Sequence, residues 1–238
     1  MNSCPRSSLL VLLLGSAAVL VAADRNWSTY LGDSGATHYS TLRGIDTKNV
    51  TRLQPAWEYH TGGAAENNRS QIQCNPLIVD GVLYGTSPEL NLFALNAATG
   101  VERWRFEPTD ASGGLNRGLT LWSEGNERQL MYSAGRFLYA INPETGRPIE
   151  TFGNQGRIDL ADGLDRDVEG LYLVSNSPGA VYRDLIIVPI RVGEGPAPAS
   201  SGHIRAFDVR TGKRRWIFHT IPFPGEFGYD TWPKDAWK

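Results

Sequence analysis

Cysteine is almost missing from this sequence: among 238 residues there are two, Cys4 and Cys74. Cys4 lies ahead of an N-terminal apolar segment. If that segment is removed, Cys74 is the last thiol, no internal disulfide can form, and stability has to come from packing and sheet pairing. Cys74 sits between Gln73 and Asn75, just before an apolar run and with no histidine at a catalytic spacing, and reads as an inert buried residue. Excess charge is missing too. A formal charge of −2 and a pI near 6.1 supply no long-range pull on nucleic acid or on an anionic membrane. The four histidines, His38, His60, His203 and His219, show no paired ligand spacing, which argues against zinc. No window keeps helical periodicity for three turns, so helix is expected only as short loop pieces. Asp165, Asp167, Glu169 and Gly170 begin like a calcium loop. The twelfth position is Asn176 rather than the bidentate Glu that such a loop needs, so the stretch reads as a polar loop.

What is present is an ordinary globular composition, 41% hydrophobic and 20% charged. At the N-terminus Arg6 precedes apolar runs from Leu9 to Leu14 and from Ala17 to Ala23, and small residues stand before Asp24. This is the pattern of a secretory signal peptide over residues 1–23, with a mature chain over 24–238. The rival, an uncleaved anchor, needs a longer run and a positive flank after it.

The mature chain is organised by a repeat. Ala206-Phe207-Asp208-Val209-Arg210-Thr211-Gly212 continues to Trp216; Ala94-Leu95-Asn96-Ala97-Ala98-Thr99-Gly100 continues to Trp104; Ala140-Ile141-Asn142-Pro143-Glu144-Thr145-Gly146 continues to Glu150 without a Trp. Each copy reads as a strand, a tight turn and a restart. Asn96, Asn142 and Asp208 can accept hydrogen bonds from amides two or three residues on, and the glycines take positive φ at low steric cost. Trp104 and Trp216 can dock on the next repeat's turn, the indole N–H finding a carbonyl. The turn glycines lie 46 and 66 residues apart, which suits four short strands per unit with a long insertion in the second interval. Asp80-Gly81 between two β-rich runs signals a hairpin. Gln129–Ser133 with Arg136–Ile141, and Ala180–Val188 with Arg183-Asp184 at the turn, build two further units alike, and Trp57 is expected in a blade strand. The expectation is an all-β protein, a β-propeller of four-stranded antiparallel blades with about three to four blades present. Because propellers close with four to eight blades, the chain is expected to be an N-terminal portion of something longer. Connections at 107–121, 153–176, 189–202 and 219–238 are where function is expected.

With these pieces in hand the chain from Trp27 to Lys238 resembles the quinoprotein dehydrogenases, which use pyrroloquinoline quinone to oxidise alcohols or aldoses. The specific matches are Asn-Val-x-x-Leu-x-x-Ala-Trp-x-Tyr-x-Thr-Gly from Asn49 to Gly62, Asn-Pro-Leu-Ile-Val-Asp-Gly-Val-Leu-Tyr from Asn75 to Tyr84, the Asn116-Arg117-Gly118 loop, and Thr231 to Lys238. The resemblance implies an eight-bladed propeller with the quinone over its central channel beside Ca2+. It places Arg117 on a quinone carboxylate, a charge-assisted pairing suited to a tricarboxylic cofactor. Gln73 and Ser175 or Asn176 fall at cofactor-contacting positions, and Glu194 at a calcium-ligating one. It also implies a quinone or cytochrome electron acceptor, a periplasmic location and peripheral association with the membrane.

The departures are Ala111-Ser112, where alcohol-oxidising members carry a vicinal Cys pair, and Ile190, where many relatives have a Ser that contacts the quinone. The missing Cys pair leans towards a glucose-type substrate. The stacking indole, the remaining calcium ligands and the catalytic Asp fall beyond Lys238 in the family, so no catalytic residue is assigned in this chain and the 238-residue product is expected not to turn over substrate. Two alternatives stand beside this reading: a non-catalytic propeller of the kind that acts as an outer-membrane assembly scaffold, which lacks the Asn-Arg-Gly loop and the Trp-Pro-Lys-Asp-Ala-Trp segment, and a degenerate family member that has lost its cofactor.

Overall fold

A computed structural model describes residues 26–66, 69–110, 115–195 and 198–237. The leader at 1–23 and the Ala111-Ser112 pair lie outside the described residues. Three four-stranded antiparallel sheets follow one another along the chain. The first contains β1 (Leu77–Val79), β2 (Val82–Thr86), β3 (Leu92–Asn96) and β4 (Glu102–Phe106). The second contains β5 (Thr120–Glu124), β6 (Glu127–Ala134), β7 (Phe137–Ile141) and β8 (Arg157–Asp159). The third consists of β10 (Ala180–Tyr182), β11 (Leu185–Val188), β13 (Ile204–Asp208) and β14 (Arg214–Phe218), while β9 (Leu173–Val174) and β12 (Arg191–Val192) form a separate two-stranded ladder. Helix among the described residues is confined to 3-10 turns at Val50–Arg52 and Tyr229–Thr231. This is the architecture of part of a β-propeller, each sheet a blade.

Turn chemistry sets the blades. Asp80 and Gly81 take φ of 50° and 77° between Val79 and Val82, the two-residue hairpin that the sequence predicts. Arg183 supplies φ 55° at the equivalent turn of the third blade, where no glycine is present. In the repeated turn, Asn96 Oδ1 accepts from the amides of Ala98 and Thr99 at 3.0 and 3.1 Å, Asn142 Oδ1 from Glu144 and Thr145 at 2.9 and 3.1 Å, and Asp208 Oδ1 from Arg210 and Thr211 at 3.1 and 2.9 Å. Three copies of one sequence thus close three copies of one turn.

The turns are also the joints between blades. A Cβ on Gly146 would lie 2.6 Å from the Trp104 ring, and Trp104 Nε1 donates to the Pro143 carbonyl at 3.0 Å, so the indole of the first blade caps the turn of the second. Trp57 caps the first blade in the same way: a Cβ on Gly100 would meet its ring at 2.6 Å, and its Nε1 donates to Ala97 O at 3.2 Å. Trp57 does this from an extended segment outside the blade strands, a correction to its expected place within one. In the second blade the fourth strand arrives late, after a detour through Phe152 and Gly153. Its Ile158 methyl and the Gly153 backbone sit where a Cβ on Gly212 would fall, at 2.7 and 3.0 Å. This explains how the second repeat dispenses with a tryptophan. Trp216 of the third blade is 39% exposed, with no turn against it among the described residues.

Between the blades lie two apolar layers. Leu77, Leu92, Leu130 and Ile141 are fully buried between the first and second blades, and Phe152, Leu160, Ile186 and Val209 between the second and third. Each such side chain contributes roughly 1.5–3 kcal/mol relative to exposure. One charge is sealed within the second layer. Arg205 is 1% exposed, donates to the carbonyls of Leu160 and Asp162, and lies over the Phe207 ring; burial pulls its guanidinium down to about 10.

Candidate functional site

The segments that lead into the first strand of each blade run side by side. The Asn75 amide donates to the Arg117 carbonyl at 2.9 Å and the Arg117 amide donates to the Asn176 carbonyl at 2.8 Å, so the backbone ladder crosses all three blades with Arg117 at its middle rung. Asn75 Nδ2 reaches the same Arg117 carbonyl at 3.1 Å. On the other side of Arg117, Asn116 is buried. Its Oδ1 accepts the Gly118 amide at 2.9 Å and its Nδ2 donates to Ser133 O of β6 at 3.1 Å. Gly118 permits the close approach this needs, since a Cβ there would lie 2.7 Å from the Tyr30 ring and 3.1 Å from Pro178. The N-terminal segment thereby braces the loop. Trp27 pairs with Ile78 of β1, and the chain then crosses to place Tyr30 on Gly118.

Of the five residues picked out by the sequence, Arg117 and Asn176 stand on this ladder, Ser175 precedes Asn176 and Gln73 lies two residues before Asn75. Arg117 is exposed, and its guanidinium makes no ion pair among the described residues. Asn176 is buried to 7% exposure and its Oδ1 has no hydrogen-bond partner among the described residues, a state that costs free energy unless a donor arrives. Ser175 is buried as well, with its hydroxyl donating to Pro189 O at 2.9 Å and its amide to Gly135 O at 3.0 Å, so it has acceptor capacity but no free donor. Gln73 is half-buried two residues before Asn75, its Nε2 donating to Gln71 Oε1 at 2.7 Å.

Glu194 lies apart from them. It is exposed, 3.5 Å from Arg191, in the loop after β12. The β9–β12 ladder pairs Arg191 with Val174 and Val192 with Leu173. Continuing that register puts Ile190 beside Ser175, whereas Glu194 falls in the loop two residues past the end of β12. No group of three or more His, Cys, Asp or Glu side chains among the described residues is placed to hold a metal ion.

Clefts lie elsewhere. One of about 610 Å³ separates residues 28–36 from Leu119–Leu121 and Pro178–Val181, and one of about 640 Å³ opens between the second and third blades beside Arg157 and Arg214. Neither is lined by the five residues. Cys74 is half-buried rather than fully buried as expected; it packs against the first apolar layer, and desolvation pushes its thiol up. Asp165 pairs with Arg214 and with His219, a polar loop as the sequence reads it.

The joints and the ladder together define a class of protein: a propeller whose blades are locked at the rim by tryptophan-capped turns and stitched at the axis around an exposed arginine. Residues 27–238 match the model of the family described as PQQ, glucose/ethanol/alcohol dehydrogenase, beta-propeller domain, and the chain belongs to that family. It is 30% identical over 222 residues to the quinoprotein glucose dehydrogenase of Escherichia coli, with 84% of this chain and 28% of that protein aligned. It is 30% identical over 243 residues to the dehydrogenase subunit of alcohol dehydrogenase (quinone) from Gluconobacter oxydans, covering 90% of this chain and 29% of the subunit. The solved quinohemoprotein alcohol dehydrogenase from Comamonas testosteroni superposes with a TM-score of 0.67 at 25% identity, over 84% of this chain and 28% of that one. The chain therefore spans under a third of the length of these relatives.

Asn75 and Asn116 are not among the residues predicted for the site, although both stand in the matched motifs. Their signal was an amide side chain on either side of the loop Arg, readable only once the blades are known to pair there.

Proposed function

We propose that this chain is the cofactor-gripping portion of a periplasmic quinoprotein dehydrogenase that oxidises an aldose or an alcohol and passes electrons to a quinone or cytochrome acceptor. The observation that carries the reading is Arg117, an exposed cation with its backbone pinned and no counter-charge among the described residues, held on the same ladder as the buried Asn176 Oδ1, which has no partner among those residues. The relatives act, by their names, on glucose and alcohols, which supports the substrate class.

The residues present fit a planar polyanion. Arg117 would bind a carboxylate through two parallel N–H donors, and Asn176 Oδ1 would take a donor from the ring system or from an ordered water. Ser175 holds the β9 end of the loop through Pro189, and Gln73 stands at the edge of the same ladder. Ile190 is half-buried against the second apolar layer and would offer no hydrogen bond to the quinone. Pyrroloquinoline quinone, when bound, supplies the two-electron acceptor for the substrate C–H bond. The chain's part is binding and orientation, and proton transfer from the substrate hydroxyl is not assigned to any of its residues. Ca2+ would meet Glu194 only after that carboxylate leaves Arg191, with its other ligands supplied from outside this chain. Residues 1–23 act as the export signal, and association with the membrane is peripheral.

The test is an absorbance titration of the intact gene product with pyrroloquinoline quinone in the presence of Ca2+, followed by an assay with aldose or alcohol and an artificial electron acceptor. Saturable binding that weakens at least about ten-fold in Arg117→Ala is expected, since a charge-assisted pair is worth roughly 1.5–3 kcal/mol. Absence of saturable quinone binding by the unsubstituted protein overturns the reading.

A further inference from the structure

Arg117 is the longest side chain of the proposed site and is exposed, and a cation contributes to binding only if its base is aimed. Three independent contacts supply the aim, and only one of them belongs to its own blade. Asn75 places two donors on a single acceptor, its backbone N–H at 2.9 Å and its Nδ2 at 3.1 Å from the Arg117 carbonyl. The Asn176 carbonyl takes the Arg117 amide at 2.8 Å, and Asn116 ties the following Gly118 amide to β6. The peptide planes on both sides of the Arg117 Cα are therefore pinned, each of them to a neighbouring blade.

The doubled grip by Asn75 is more than fold maintenance requires. A ladder needs one donor per carbonyl, and the backbone N–H of Asn75 already provides it. The amide side chain is exposed, and its single hydrogen bond goes to the Arg117 carbonyl. It can have little influence on the core. What it does is fill the second lone pair of that carbonyl and stop the Arg117–Gly118 peptide from rotating.

We propose that Asn75, working with Asn116, is a positioning residue that orients Arg117 towards an anionic ligand. The inference rests on the reading of Arg117 as a cofactor contact. Asn116 is buried, and replacing it would leave both the Gly118 amide and the Ser133 carbonyl without partners, so Asn116→Ala can fail to fold. Asn75→Ala carries the test for that reason.

The experiment is a double-mutant cycle on the intact gene product, with quinone affinity by absorbance and thermal unfolding without quinone as paired readouts. Asn75→Ala is expected to weaken quinone binding about five-fold, the worth of one hydrogen bond, and to leave the unfolding temperature unchanged. In the Arg117→Ala background the same substitution is expected to change affinity by less than about two-fold. If the unsubstituted protein binds quinone but Asn75→Ala binds it equally well, or loses the same factor with Arg117 absent, the positioning role is overturned and the cofactor reading stands. If the unsubstituted protein binds no quinone, both fall.

Discussion

Replacing Gly146 by alanine tests whether the rim joints hold the blades together. Two costs are separable. The first is conformational: Gly146 sits at φ +71°, where an L side chain costs roughly 1–2 kcal/mol. The second is contact: the added Cβ would lie 2.6–2.7 Å from the Trp104 ring, closer than any real Cβ, so the indole has to move. Moving it gives up the 3.0 Å bond to Pro143 O, about 1 kcal/mol, and part of the burial of the ring, for which complete loss costs about 3–5 kcal/mol. Gly146→Ala should therefore destabilise by about 3–5 kcal/mol. Gly81 provides the control, since it has φ +77° and no atom within 4 Å of a new Cβ, so Gly81→Ala should cost only about 1–2 kcal/mol. Urea unfolding followed by circular dichroism reads both. In a Trp104→Ala background the two substitutions should become equal. The reasoning is refuted if Gly146→Ala is no worse than Gly81→Ala, or if the gap between them survives removal of the indole.

Three further outcomes follow from buried groups. Arg205→Ala removes the donors to Leu160 O and Asp162 O from a sealed layer and should destabilise by roughly 2–5 kcal/mol in the same urea assay, with Arg205→Lys recovering part of the loss. His203, held down to about 4 by burial and then by His219, stays neutral when folded while the unfolded ring titrates near 6.5. Between those values the unfolded chain takes up a proton that the folded chain refuses, so the melting temperature should fall as pH drops from about 6.5 to 4. His203→Gln, which keeps an acceptor for the Thr220 amide, should flatten that slope; a slope unchanged in His203→Gln removes this group from the explanation. Cys74 should resist a disulfide reagent at pH 8 when folded and react readily in urea, and equal rates in the two states would contradict its burial.

The rim of this molecule was legible in its sequence because the joint is local. Asn or Asp, Thr and Gly at fixed offsets close the turn, and a tryptophan four residues on is the cap for the next one. Legibility ended where the offset changed. In the second blade the capping is done by Ile158 and Gly153, delivered by a detour that no spacing rule anticipates, and Trp57 does its capping from outside any strand. At the axis the relevant contacts join residues far apart in the chain: Asn75 meets Arg117 across 42 positions, and Arg117 meets Asn176 across 59. Resemblance named Arg117 and Asn176 without showing what holds them. Glu194 illustrates the same limit from the other side. Its position came from the resemblance, whereas its place in the loop beyond the β9–β12 ladder, paired with Arg191, is supplied only by three-dimensional structure.

Trp216 gives the assembly a direction. Every repeated turn among the described residues already wears a cap, whether Trp57, Trp104 or the Ile158–Gly153 substitute, while one indole is left over. The unit thus has a tongue without a matching groove, and a second copy of it offers that tongue nowhere to seat. Through this joint a second copy of the same three blades would offer Trp216 no uncapped repeat turn among the described residues, since each of their glycines is already covered.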